Sequence, residues 1–314
     1  MKSITITAGD AGQRVDRYIL KTFDKMPKSL MFKEIRKKNI KVNKKRCAPE
    51  QILNQGDVLE LYLKDDVLHE KTKYYDFLKA GTKLDIIYED ENIVLINKEI
   101  GVLCHPDGRD YTDNLVARLK RYLYEKGEWS PETSSFTPSL ANRLDRNTGG
   151  IVIAAKNSAS LKTLNAKLKS REIDKYYLAV VHGKMPQPGE TLTAYLTKDE
   201  RKNKVSVSEQ EQPGSKKIIT RYSVLDYYPD ASLLEIKLLT GRTHQIRAHL
   251  AHVGHPLFGD GKYGENKGRY RQALYSYKLI FDFSDENNLS YLDKKEFQAK
   301  NIKLLTDYKE RKFI

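Results

Sequence analysis

The chain has 314 residues, 39% hydrophobic content and a formal net charge of +14, with a mean hydropathy of −0.65. That length accommodates a sizeable core and more than one domain, and no apolar run approaches the ~20 residues needed to span a bilayer. The basic excess points to a polyanion partner, while the N-terminus lacks the apolar core of a signal peptide.

Two cysteines, Cys47 and Cys104, form neither a metal-spacing pattern nor a disulfide framework, so a reduced cytoplasm is expected. In chain order, Ile4-Thr5-Ile6-Thr7 reads as a short strand. Residues 13–23 carry Val15, Tyr18, Ile19 and Phe23 at helical spacing. Pro27 and Lys28 interrupt, and 29–38 reads as a second helix with Leu30, Phe32 and Ile35 inward. Residues 39–43 alternate as a strand, Lys44-Lys45-Arg46 reads as a basic turn, and 58–63 is a further strand. Lys28, Lys33, Arg36, Lys37, Lys38, Lys41, Lys44, Lys45 and Arg46 face a single acid in this segment, Glu34. Such a cluster is either a solvated face or, grouped at a helix end and a hairpin, a phosphate-binding surface. The order helix, helix, IRKKNIKVNKKR and NQGDVLEL resembles the S4 RNA-binding domain, with the match running over 35–61. The resemblance implies RNA contacts from this basic group.

Residues 65–83 are charged, without a clear period, and read as a linker. Strands at 84–88 and 93–96 bracket Glu89-Asp90-Glu91-Asn92, a hairpin signal. Residues 114–126 form an amphipathic helix with Leu115, Leu119, Tyr122 and Leu123 on one face, Asp113 as its expected cap and Gly127 as its stop. Further on, 158–170 reads as a helix and 175–181 as a strand. Residues 184–218, rich in Gly, Pro and Lys, read as an extended insertion with short strands. A strand pair is expected at 220–228 and 232–239. A helix at 243–253 should bury Ile246, Leu250 and Val253, and a strand is expected at 274–283. The tail, 284–314, has no assignable pattern.

The stretch that organises the rest is 140–157, LANRLDRNTGGIVIAAKN. Asp145 stands between Arg143 and Arg146, a small-residue turn follows, and 151–155 is an apolar run that reads as a buried strand. Nearby positive charge favours an ionised carboxylate. Such a group is a structural ion-pair partner or a nucleophile, and the local pattern leaves both open.

Competing chemistries lack their motifs. His249 and His252 are three apart, but HExxH needs a Glu beside the first His and four-residue spacing. Neither GxGxxG nor a phosphate-binding GxxxxGK[ST] is present, and no GxSxG elbow supports a serine triad. A paired-carboxylate glycosidase needs a second acid, and Glu89 or Glu99 would have to supply it without a motif. One acid among cations suits attack on, or stabilisation of, a cationic sugar carbon in a substrate that brings its own phosphates.

Asn142–Gly150 resembles the H-R-L-D-x-x-T-S-G motif of RluA-type pseudouridine synthases. Residues 175–183 resemble K-x-Y-x-A-x-V-x-G, and 239–250 resemble G-R-T-H-Q-I-R-x-H-L. Gly254-His255-Pro256 with Gly259-Asp260 resembles the trailing G-H-P-x-x-G-D, and Asn97-Lys98-Glu99-Ile100-Gly101 the leading N-K-P-x-G. The resemblance implies an α+β fold: an S4 domain at 1–64, the linker at 65–83, and a catalytic domain at 84–314 with a large mixed, mainly antiparallel sheet. It implies Asp145 as the catalytic aspartate, with Arg247 as its charge partner. Tyr177 would lie against the uracil and remove the C5 proton, and Arg143 would fill the gap left by the flipped uridine. With an S4 module in front, the chain resembles the large-ribosomal-subunit synthases, particularly the C type, which modify 23S rRNA. Neither metal nor cofactor is required, and a cytoplasmic monomer without membrane attachment is expected. The other expectation carried forward is an inactive S4-containing ribosome-assembly factor. Asn142, Gly149 and Glu99 depart from the family's His, Ser and Pro, and Gly149 should loosen the turn.

Overall fold

The computed structural model describes residues 1–23, 25–68, 75–107, 112–199, 204–264 and 271–313. The linker expected at 65–83 and the insertion expected at 184–218 lie partly outside them.

Residues 1–68 build a small layer of their own. Strand β1 (Lys2–Thr5) is followed by helices α1 (Val15–Thr22) and α2 (Lys28–Arg36), then β2 (Ile40–Val42), β3 (Lys45–Arg46) and β4 (Val58–Leu61). The strands form an antiparallel sheet in the order β1-β4-β2-β3. Helix α1 buries Val15, Tyr18 and Ile19, α2 buries Met31 and Ile35, and Ile40, Val42, Leu59 and Leu61 meet them from the sheet. Asn43 and Lys44 have φ of 51° and 63°. Two consecutive left-handed residues match the twist of a two-residue hairpin. The turn is therefore Asn43-Lys44, and Lys45–Arg46 is a strand rather than part of the expected basic turn.

The larger layer is an eleven-stranded sheet. Its strands are β5 (Ile86–Glu89), β6 (Ile93–Lys98), β7 (Ser139–Leu140), β8 (Gly149–Ala155), β9 (Ile173–His182), β10 (Gly189–Asp199), β11 (Lys204–Ser208), β12 (Lys216–Tyr228), β13 (Ala231–Leu238), β14 (Leu274–Phe281) and β15 (Glu296–Gln298). The main order is β11-β10-β12-β13-β9-β14-β8-β6-β5, with β7 on β8 and β15 on β14. Among the described residues only β8 and β14 run parallel, so the sheet is mixed and mainly antiparallel. Helices α3 (Leu115–Glu125), α4 (Ser158–Ser170), α5 (Gln245–His252) and α6 (Lys303–Lys309) complete the layer. Alternation along the central strands divides the core. Val94, Ile96, Val152 and Ala154 meet α3, whereas Ile93, Leu95, Ile151 and Ile153 meet α4 and the C-terminal segment. Every residue of β8 is buried, as a strand covered on both faces requires.

Several expectations change. Residues 184–218 contribute long sheet strands, because Leu192, Ala194 and Leu196 alternate inward along β10. Helix α3 is capped by Asn114, whose Oδ1 accepts from Ala117 N–H at 3.1 Å. Asp113 instead accepts from Arg118 and from Gly81 N–H. Val253 lies beyond the end of α5 and is 37% exposed. The tail is ordered by Leu304 and Tyr308 of α6, which enter the core. Within 65–83, Asp76–Lys79 is a single 3-10 turn with Phe77 packed on Tyr124 and Trp129.

The layers meet at a buried carboxylate. Asp10 is 1% exposed. Its Oδ1 accepts from Ser135 N–H (2.5 Å), Ser135 Oγ (2.8 Å) and Phe136 N–H (3.1 Å), and its Oδ2 from Thr7 Oγ1 (2.8 Å).

Candidate active site

Three elements converge on a cleft of ≈ 840 Å³. The turn before β8 brings Asp145, β9 brings Tyr177, and α5 brings Arg247. Arg247 Nη1 donates to Asp145 Oδ2 at 2.7 Å. The rest of the guanidinium is occupied by Asp260, which accepts from Nε and Nη2 at 2.8 Å each. The fork geometry fixes the plane of the arginine. Asp260 is 1% exposed and also accepts from Lys262 and Tyr263 N–H. Burial raises the Asp260 carboxyl and the Arg247 pair overrides it, leaving the group below its ordinary value. Arg247 therefore carries two carboxylates, one structural and one facing the cleft.

Asp145 keeps Oδ1 open: among the described residues, no donor reaches it. Neither flanking arginine holds the carboxylate. Arg146 Nε donates instead to the Gly101 carbonyl at 3.0 Å, and Arg143 is exposed at the cleft wall. The charge partner comes from 102 residues away, so the sequence position of Asp145 between Arg143 and Arg146 does not give the geometry.

The turn bearing Asp145 is held from below. Gly101 N–H donates to the Arg146 carbonyl at 2.8 Å. Lys98, 1% exposed, donates Nζ to the carbonyls of Glu99, Val102 and Arg146 at 3.0, 2.9 and 3.2 Å. Burial pulls its ammonium down to about 8. The Cys104 thiol lies between Leu144 N–H and C=O at 3.3 and 3.4 Å, and Gln272 donates to Thr148 Oγ1 at 2.7 Å. Lys98, Cys104 and Asp260 were not expected as site residues. Their signal was present only as motif membership for Lys98 and Asp260, and Cys104 gave none.

The family departures are absorbed locally. Asn142 Oδ1 accepts from Ile153 N–H at 2.8 Å, tying the approach of the turn to β8. Gly149 does not loosen the turn, because it is buried in β8. A Cβ there would lie 2.7 Å from the Tyr275 ring, and the Tyr275 hydroxyl is fixed on Asn97 Oδ1 at 2.6 Å. Gly150 has φ +110°, and a Cβ would meet the Ser276 carbonyl at 2.0 Å, so only glycine fits. Glu99 lies outside the cleft, paired with Lys83. Glu89 lies between Lys126 and Lys156. Neither supplies a second carboxylate to the site.

Tyr177 is 6% exposed on the cleft side of β9, and burial pushes its phenol up to about 12. Gln245 sets the start of α5. Its Oε1 accepts from Thr240 Oγ1 and Arg242 N–H, and its Nε2 donates to the Ile219 carbonyl. His249 Nδ1 meets Thr220 Oγ1 at 3.0 Å, a packing role. Among the described residues no group of three His, Cys, Asp or Glu side chains is arranged for a metal. Lys169, Arg171, Lys175 and Arg242 add positive charge to the cleft wall beside Arg143. They were not expected at the cleft because each looks like an ordinary helix-end or strand cation.

In the small layer, Lys33, Arg36, Lys37, Lys38, Lys44, Lys45 and Arg46 are exposed, and Lys41 is half-buried with Nζ 5.1 Å from the Tyr62 ring centroid. Lys37 reaches Glu34 at 4.0 Å. None of the other six exposed cations has an acidic partner among the described residues.

A family model for RNA pseudouridylate synthase matches residues 92–252. An uncharacterized RNA pseudouridine synthase of Mycoplasma genitalium is 34% identical, over 86% of this chain and 85% of its own length. The ribosomal large subunit pseudouridine synthase C of Haemophilus influenzae is 33% identical over 90% of this chain and 87% of its own. The synthase of the same name from Escherichia coli is 32% identical over 85% and 81%. Among solved structures, human RNA Pseudouridylate Synthase Domain Containing 4 overlays with a TM-score of 0.57 at 18% identity. That overlay covers 72% of this chain and 93% of the human chain, and it bears on the fold.

Proposed function

Because the chain belongs to the RNA pseudouridylate synthase family and isomerises uridine in RNA, we propose that Asp145 carries the chemistry and that the substrate is 23S rRNA of the large ribosomal subunit. The observation that carries the first part is the unequal use of the carboxylate. Asp145 lines the cleft; Arg247 holds its Oδ2, and among the described residues no donor reaches Oδ1. The ribosomal part is supported by the relatives named as large-subunit synthases and by the exposed cations of the small layer.

The reaction breaks N1–C1′, turns the base and joins C5 to C1′. One proton leaves C5 and one is gained at N1, so neither redox nor water activation is needed. Oδ1 is the oxygen that adds to C1′ or takes the 2′ proton; both routes use the same unencumbered lone pair. Arg247 pairs with the carboxylate through Oδ2. Tyr177 supplies the surface against which the uracil packs. With its phenol near 12 it is protonated at neutral pH and takes the C5 proton only while passing its own on. Loss of that proton restores the conjugated ring, which makes it acidic once C5 is bonded to C1′. Flipping the uridine costs a few kcal/mol, and packing on Tyr177 returns about 1–3 kcal/mol. Arg143, exposed beside the cleft, fills the vacated position in the RNA stack.

Residues 1–64 serve as an S4 RNA-binding domain, 65–83 join it to the rest, and 84–314 form the catalytic domain of a cytoplasmic monomer. Lys33, Arg36, Lys37, Lys38, Lys41, Lys44, Lys45 and Arg46 contact phosphates, so binding weakens steeply with salt. Mapping pseudouridines in ribosomal RNA from cells with and without the gene tests the substrate. Loss of one or more large-subunit positions is expected. Retention of every such position, or release of free uracil by the purified protein, contradicts it.

A further inference from the structure

His244 occupies the side of Asp145 next to Arg247, and neither the ion pair nor the uracil contact uses it. It precedes α5 with φ 53° and ψ 19°. A left-handed backbone at a residue other than glycine costs about 1–3 kcal/mol and persists where the surroundings demand it. The side chain is 10% exposed. Nδ1 lies 2.8 Å from the Tyr263 hydroxyl oxygen, and Nε2 lies 3.7 Å from Asp145 Oδ2.

The tautomer follows from the network. Val205 N–H donates to the Tyr263 oxygen at 3.0 Å, which directs the phenol's own hydrogen to His244 Nδ1. Nδ1 is then the acceptor, and the ring proton sits on Nε2, on the side of the carboxylate. Burial lowers the imidazole well below its ordinary value, against the pull of Asp145, so the ring is neutral at neutral pH.

A carboxylate held by one donor is free to turn about its terminal torsion and exchange its two oxygens. A second donor on the same oxygen fixes the plane. A neutral N–H does this without adding a second cation beside the carboxylate. We propose that His244, set as the Nε2–H tautomer by Tyr263, is a positioning residue that shares Oδ2 of Asp145 with Arg247 and so assigns the reaction to Oδ1. The 3.7 Å separation closes to hydrogen-bond range when RNA fills the cleft; active-site bonds that are long in the free enzyme shorten in the complex. The inference rests on Asp145 being the catalytic carboxylate.

Steady-state kinetics of the full chain on a ribosomal RNA transcript test it, with Asp145→Asn as the control for that assignment. An active Asp145→Asn enzyme sinks the catalytic assignment itself, whatever His244 does. Given an inactive control, His244→Ala should lower kcat by about 10–100-fold, the scale of a hydrogen bond to a charged group, with KM within about twofold. His244→Gln keeps an amide N–H at similar reach and should recover kcat to within about fivefold of wild type. Tyr263→Phe keeps the ring and should lower kcat by about 3–10-fold, the scale of a neutral hydrogen bond. Combined with His244→Ala it should add nothing, because the two act as one unit. Should His244→Ala fail to fold, Tyr263→Phe and His244→Gln decide. A kcat within twofold of wild type for His244→Ala or Tyr263→Phe, a loss confined to KM, or multiplying losses in the double variant overturns the proposal.

Discussion

The two layers use positive charge in opposite ways. In the small layer, Lys33, Arg36, Lys37, Lys38, Lys44, Lys45 and Arg46 are exposed, and for six of these side chains no acidic partner is found among the described residues. In the large layer, Arg247 and Lys98 are 9% and 1% exposed, and each is bonded on several sides. Charge that meets phosphate has to stay solvated until the phosphate arrives, because its contribution comes from released counterions. Charge that orients a reacting group has to be desolvated and already paired, so that no reorganisation is left for the reaction. One mutation should therefore cost stability in the large layer and affinity in the small one.

The largest expected effect is at Arg247. Arg247→Ala leaves Asp260 buried without its cation, which should cost about 3–5 kcal/mol, read by urea unfolding, and abolish turnover. Unchanged stability would break the contrast between the layers. Next is the acid side of the stability profile. Burial pushes His249 down to about 4 from an ordinary 6.5, so between those values the unfolded state binds the extra proton. Stability from this group is complete above about pH 6.5 and is lost as the pH falls toward 4. The shift corresponds to about 3 kcal/mol. Wild type should lose that much more than His249→Gln over the window, and parallel profiles would show that His249 is not buried neutral.

In the small layer, reversing Lys37, Lys38 and Lys44 to Glu should raise KM for ribosomal RNA by about 10–100-fold, with kcat within about twofold. The salt dependence of binding should become shallower by about 2 in log–log slope. A fall in kcat instead would place these cations in the chemistry. The smallest effect is at the junction. Asp10→Ala removes the acceptor of Ser135 and Phe136 N–H. It should destabilise the docked arrangement by about 1–3 kcal/mol, seen as faster amide exchange at 134–136. Unchanged exchange there would show that Asp10 does not hold the layers together.

Much of this was legible where the determinants are local. Helix α4 was expected at its observed bounds from the spacing of Leu161, Leu164 and Leu168, and the structure adds Asn157 as its cap, accepting from Ser160 N–H at 2.9 Å. The buried strand after Asp145 was plain from its apolar run. What failed was non-local. Arg143 and Arg146 flank Asp145 in sequence, yet its partner is Arg247, and only motif order pointed there. Cys104 touches Leu144 with nothing in its spacing to announce it. The long strand β10 was hidden because Thr, Lys and Glu on its open face outweigh the alternating Leu192, Ala194 and Leu196. Gly149 looked like slack in the turn, since the Tyr275 ring that fills its place belongs to a strand far along the chain.

Under the proposed function, an aimed Asp145 isomerises uridine while the exposed cations of the small layer hold the RNA. The direct measurement is pseudouridine formation and RNA binding, side by side, for wild type and Asp145→Asn on large-subunit rRNA transcripts. Binding within about twofold of wild type, with kcat reduced by about 10⁴-fold or more, is the predicted result. Pseudouridine formed at a rate near wild type by Asp145→Asn, or a variant that loses binding in proportion to activity, would contradict it.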